Sequence, residues 1–150
     1  MSSRRELIIQ DRVAALGVNA PAAVHRFRIR PIERDQLPAY VVYPAVPPFG
    51  GESGSVERPD HDPGVERKMN LRIEIRVTGE NPDVAIDEHY VHVVKRMRAD
   101  PTCGGLALDC REVRDTMDAA DLGRPVGANA VDFEITYLTD EDDPEEPAYE

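Results

Sequence analysis

The chemistry-bearing residues of this chain are few, and two of them fall in one short stretch. Cys103 and Cys110, the only cysteines, flank the Gly104–Gly105 pair in ADPTCGGLALDC. A phosphate cradle needs glycines that lead into a helix N-terminus. These glycines follow a helical segment and lead into a strand, so the polarity is reversed. A zinc or redox site needs cysteines two to four residues apart, usually twice. Six residues separate this pair, and no histidine lies close in sequence. What remains is a corner: Asp100 and Pro101 end the helix, the glycines permit a tight reversal, and both cysteines stay as thiols. His89 and His92 sit three apart beside Glu88, but EHYVH is not the His-Glu-x-x-His of a metalloprotease; they are expected at the surface or an interface. Asp60, His61 and Asp62 in RPDHDPG supply too few ligands to fix a cation. No Gly-x-Ser-x-Gly, paired-acid or nucleotide motif occurs, so no catalytic, cofactor-binding or metal residue is nominated and no enzyme activity is expected.

The elements that would position such residues are legible as periodicities. Ser3 and Glu6 form a capping-box pattern ahead of Leu7, Ile8, Val13, Ala14 and Leu16, which predicts a helix over 3–16. VHRFRIR alternates as a strand, with Arg26, Arg28 and Arg30 on one face. LPAYVVYP is a second strand bounded by prolines. Residues 44–66, rich in Pro and Gly, form a long loop or a loosely paired hairpin. KMNLRIEIRV is the clearest strand, with Met69, Leu71, Ile73, Ile75 and Val77 on one side and Asn70, Arg72, Glu74 and Arg76 on the other. A second helix is predicted over 82–98, with Asn81 as its cap and Pro82 in its first turn. A strand over 106–113, a polar connection and a closing strand AVDFEITYLT complete the chain. The predicted architecture is an α+β, two-layer fold: a mostly antiparallel sheet of four to five strands with two helices on one face, plus a long loop or hairpin.

Composition narrows the function classes. At 150 residues the chain is one ordinary domain, with no apolar run long enough to cross a bilayer and no secretory leader, so a cytosolic address without membrane contact is expected. The formal charge of −11 is uneven. Residues 140–150 hold seven acids and no base, leaving 22 acids against 18 bases elsewhere. Residues 1–139 are thus expected to fold as a single domain, and 140–150 to be a flexible acidic tail whose removal beyond 140 spares folding. The balance argues against a duplex-DNA binder, whose affinity comes from neutralising phosphates. The strand rows Arg26, Arg28, Arg30 and Arg72, Glu74, Arg76 form a surplus of charge with no evident internal role. Such a row is either a solvated sheet face or a polar protein interface.

In order along the chain, VHRFRIRPIERDQLPAYVVYP, RKMNLRIEIRVTG, MRADPTCGGLALDC and GRPVGANAVDFEITYLTDEDDP follow an N-terminal helix. This order resembles the tail terminator proteins of long-tailed bacteriophages, the lambda gpU-like group, over roughly residues 3–144. The resemblance implies an α+β virion assembly protein without enzymatic activity. It implies a homo-oligomeric, hexameric ring that is put together in the host cytoplasm at the head-proximal end of the tail. Such a ring caps the tail tube protein, stops polymerisation, and receives the head-side connector or completion protein while DNA passes without specific binding. Candidate subunit or tube contacts are Arg26, Arg28, Arg30, Arg72, Glu74 and Arg76 on the strands and Phe49, Glu52 and Arg58 in the long loop. A head-to-tail connector or tail-completion subunit is the alternative, and a small-molecule-binding α+β domain is a third reading.

Overall fold

The structure, a computed structural model, describes residues 2–26, 37–45, 54–57, 64–79, 81–118, 126–140, 142–143 and 145. Helix α1, Arg4–Gly17, starts where Ser3 Oγ accepts the Glu6 amide at 3.1 Å. That bond relieves one of the amides a first helical turn leaves unpaired. Ile8, Ile9 and Leu16 turn inward, and so does Arg12. Helix α2, Pro82–Ala99, begins with a proline whose missing N–H costs nothing at that position. Asn81 occupies the cap position, yet its side chain makes no capping bond, contrary to the sequence expectation.

Among the described residues, six strands form one sheet: β1 (Ala23–Arg26), β2 (Ala39–Pro44), β3 (Gly54–Glu57), β4 (Gly64–Thr78), β5 (Asp109–Asp118) and β6 (Val126–Asp140). Their order is β1-β2-β4-β6-β5, with β3 also paired to β4. Among the described strands, only β1 and β2 run parallel. The expected α+β architecture, mostly antiparallel with two helices, is present. The five strands β1, β2, β4, β6 and β5 agree with the expected four to five, and the Pro/Gly segment, expected as a long loop or hairpin, contributes β3, which pairs residues 66–69 of β4 while β2 pairs residues 71–76. The hairpin alternative for that segment therefore holds in part.

Strands β4 and β6 are paired along 15 residues, from Gly64 opposite Asp140 to Thr78 opposite Val126. The register puts Leu71 beside Phe133 and Ile73 beside Val131, so the odd-numbered side chains of both strands share one face. Tyr40 and Val42 of β2 and Cys110 of β5 extend that face, and Ile8, Leu16, Ile86, Val93 and Met97 of the two helices close over it in a single apolar cluster. Closeness of α2 to the sheet is set at Gly127, where a Cβ would lie 2.8 Å from Pro82 Cβ and 3.0 Å from Ile86 Cδ1.

Two boundaries differ from the expectation. β5 starts at Asp109 rather than 106 and runs on to Asp118, through residues assigned to the polar connection. As an edge strand exposed on both sides beyond its bulge at Glu112/Arg114, it needs no apolar alternation. β6 begins at Val126 and ends at Asp140, so the first acid assigned to the C-terminal tail is paired within the sheet. Among the described residues, no helix is long and apolar enough to cross a membrane.

Candidate functional site

The even-numbered side chains of β4 and β6 point away from the helices, and on this second face the charges form a connected network. Arg72 and Asp132 are cross-strand partners. Arg72 Nε donates to Asp132 Oδ1 at 2.9 Å and Nη2 to Oδ2 at 3.3 Å, the two-pronged geometry a guanidinium offers a carboxylate. Asn70 Nδ2 adds a third donor to Asp132 Oδ1 at 3.1 Å. The carboxylate is only 1% exposed. Withdrawn from water, it depends on those donors, because an uncompensated buried charge costs about 3–5 kcal/mol.

From Arg72 the network passes to β2. Tyr43, opposite Arg72, donates its hydroxyl to Glu74 Oε1 at 2.5 Å, while Arg76 reaches Glu74 Oε2 through Nη2 at 2.6 Å and Nε at 3.2 Å. Burial, then the adjacent Glu74 carboxylate, pushes the Tyr43 hydroxyl above its ordinary range, keeping it a donor. Toward the other edge, Arg111 Nη2 donates to Glu134 Oε1 at 3.0 Å. A row spaced two apart on a pleated strand thus becomes an internally neutralised band across four strands, β2, β4, β6 and β5.

The strand charges are therefore not idle within the fold, as their spacing suggested, because Arg72, Glu74 and Arg76 each have an intramolecular partner. Arg26, too, has an internal partner. Its register partner is Val42, on the helix side, and it binds Glu6 of α1 through Nη1 at 2.5 Å and Nη2 at 3.2 Å. Arg26 therefore does not share a face with Arg72 and Arg76. Its hydrogen bond holds the Glu6 carboxyl below the usual range, but with side chains 43% and 34% exposed, such a pair contributes only about 0.2–1 kcal/mol. Arg28, Arg30, Phe49, Glu52 and Arg58 lie outside the described residues.

The histidines are expected at the surface or an interface, and the structure buries His89 within the fold. Its Nδ1 lies 2.7 Å from Tyr40 Oη, with the rings edge-to-face at 5.5 Å. His92 also stacks on Tyr40, at 6.0 Å, and reaches the Leu16 carbonyl through Nε2 at 3.2 Å. Burial lowers the His89 pKa and raises that of Tyr40. The pair is a joint between β2, α1 and α2. Among the described residues, no group of three or more His, Cys, Asp or Glu side chains is placed to hold a metal ion.

At the glycine corner the tight reversal is present: Cys103, Gly104 and Gly105 have φ of 54°, 70° and 87°. Asp100 fills the backbone amides a phosphate would use, accepting from Thr102 N at 3.1 Å and Gly104 N at 2.8 Å. The hydrogen bond from the Thr102 hydroxyl, then those from the Gly104 and Thr102 amides, hold the Asp100 carboxyl below its ordinary value. Sequence reasoning missed Asp132 and Arg12. The V-D-F-E alternation marks Asp132 as facing outward, but only register reveals its partner.

No family model matches the chain, and no match is found among curated proteins.

Proposed function

We propose that this chain is a phage tail terminator subunit, which closes into a ring, caps the tail tube and presents the surface taken by the head-side connector. The order of its segments supports the reading, and the observation that carries it is the band Arg76–Glu74–Tyr43–Arg72–Asp132 on the helix-free face. A ring needs a heterologous contact whose rotation closes, since a contact that fails to close propagates as a filament. A band held by its own cross-strand bonds meets a partner without first ordering long side chains, which lowers the entropic cost of association. Its local neutrality also keeps a free subunit soluble without an exposed apolar patch.

The test is to delete the gene from its phage and image the tails. Tails of uncontrolled length are expected. Tails of normal length that fail to take heads would assign the chain to the connector instead, and normal, head-attached tails would end the assignment.

A further inference from the structure

Independently of any assembly role, the flank of α2 that faces the edge strand β5 gathers acids over a buried carboxamide. Tyr90 Oη donates to Glu112, 2.9 Å from Oε1 and 2.6 Å from Oε2, which fixes the side of the helix turned toward β5. Asp83 and Asp87 lie on that same flank, one and two helical turns before Tyr90. Across from them, Glu112, Asp115 and Met117 stand opposite Phe133, Val131 and Asn129 of β6, all on the helix side of the sheet. These two walls carry four exposed acids and no base. Among the described residues, Asp83, Asp87 and Asp115 enter no ion pair.

The floor of this cleft is Asn129. Two residues before it on β6, Gly127 lies against Pro82 and Ile86, so Asn129 sits beneath the first turns of α2, with Met117 beside it on the edge strand. Asn129 is 1% exposed, and neither its Oδ1 nor its Nδ2 has a hydrogen-bond partner. A buried amide left unpaired weakens the fold, and its complement is a group that the chain itself does not supply. Met117, 47% exposed and unbranched, stands on the solvent side of the amide and can swing aside. Charge narrows what can enter. Four carboxylates repel phosphate-bearing ligands, and among the described residues no three acids are placed to hold one metal ion. A guanidinium fits instead, because its donors spread over a plane that reaches several acceptors at once and stacks on an aromatic ring such as that of Tyr90.

We propose that the cleft between α2 and β5 receives an arginine side chain from a basic segment of a partner protein, with Asn129 Oδ1 accepting from the guanidinium at its floor and Asp87 and Asp115 flanking it. The exposed acids draw the segment in, and the buried amide selects a group with donors to give. The bond to Glu112, then burial and the charges of Glu112, Asp115 and Asp87, push the Tyr90 hydroxyl up to about 12, so it stays a donor to Glu112 and leaves its ring as a wall for the guanidinium.

The experiment titrates a short peptide, acetyl-alanyl-arginyl-alanine amide, into the full-length protein at low ionic strength and follows it by NMR. Expected are progressive shifts of the Asn129 side-chain amide and the Met117 methyl signals. The same peptide with citrulline for arginine keeps the shape without the charge and should bind at least about tenfold more weakly. Asn129→Leu should melt no lower than the parent, since an unpaired amide is removed, yet bind the arginine peptide about tenfold more weakly. Should that variant fail to fold, Asp87→Asn/Asp115→Asn, which changes two exposed residues, decides by the same loss of binding. Binding unchanged in these variants, or shifts confined to the acidic residues 140–150, would overturn the proposal. So would the same Asn129 shifts on adding magnesium or calcium ions alone, which would make the cleft an inorganic cation site, or on concentrating the protein without peptide, which would make its occupant a second copy of the chain.

Discussion

Asp132 decides the behaviour of the helix-free face, because it is the network's most buried charge and binds residues two strand positions apart on β4, Asn70 and Arg72. Replacing Arg72 with Ala leaves that carboxylate without its counter-charge, and a loss of about 3–5 kcal/mol in chemical unfolding is expected. Arg72→Met with Asp132→Leu should recover most of the loss, since an apolar pair of similar volume leaves no uncompensated charge. If single and double variants are equally destabilised, the two residues are not energetically coupled. His89 supplies a second residue-scale test. Burial holds its pKa below the ordinary 6.5, His92 acts in the same direction, and Glu88 opposes. The unfolded chain therefore binds a proton that the folded chain refuses. The stability contributed by neutral His89 is fully present above 6.5 and is lost as pH falls through that value toward the folded one. Thermal unfolding across this window should show the decline, and His89→Gln should flatten it; an unchanged slope in the variant would contradict the assignment. None of this is legible from residue type. By sequence Asp132 is one more outward acid and His89 a surface or interface histidine, because partners on other elements are fixed only by register and helix docking.

At the scale of elements, legibility follows the strength of the periodic signal. β4 alternates over KMNLRIEIRV and is covered on one side only, so both its existence and its inward residues, Met69 to Val77, can be read from spacing. The far end of β5 gives no such signal: Arg114 to Asp118 is held by backbone pairing to β6, and its exposed positions are free to be polar. The start of β6 escapes a reading by propensity because Gly127 and Asn129 are poor strand formers. Gly127 is there for fit, since α2 approaches until no Cβ can be accommodated between β6 and Pro82. Gly127→Val should therefore displace the first turn of α2 and destabilise the fold by about 1–3 kcal/mol, the usual penalty of overpacking. Faster amide exchange at the start of α2 than at its end would localise the effect. A variant as stable as the parent would mean that the helix seats elsewhere.

For the whole molecule, the question is whether the charge band is recognised from outside or only holds the sheet together, and a charge swap separates the two. In Glu74→Arg/Arg76→Glu, the pair two residues apart on β4 keeps one acid and one base within reach, so the ion pair can re-form in reverse, while the Tyr43–Glu74 bond is lost. The pair is part-exposed, at 25% and 37%, and accounts for no more than about 1 kcal/mol, with about 1.5–3 kcal/mol more expected from the lost hydroxyl–carboxylate bond. Reversing Arg76 alone is a poorer experiment, because it places two carboxylates side by side and confuses loss of fold with loss of contact. An interface that matches this band against a neighbouring subunit or the tube must lose complementarity in the swapped chain, where each charge meets its like. The expected result is a monomeric, folded protein by light scattering and circular dichroism that no longer caps tubes. Mixed with the parent chain, it should not enter rings. Rings and capped tubes formed by the swapped chain as readily as by the parent would remove this face from the interface and leave the band a purely internal brace.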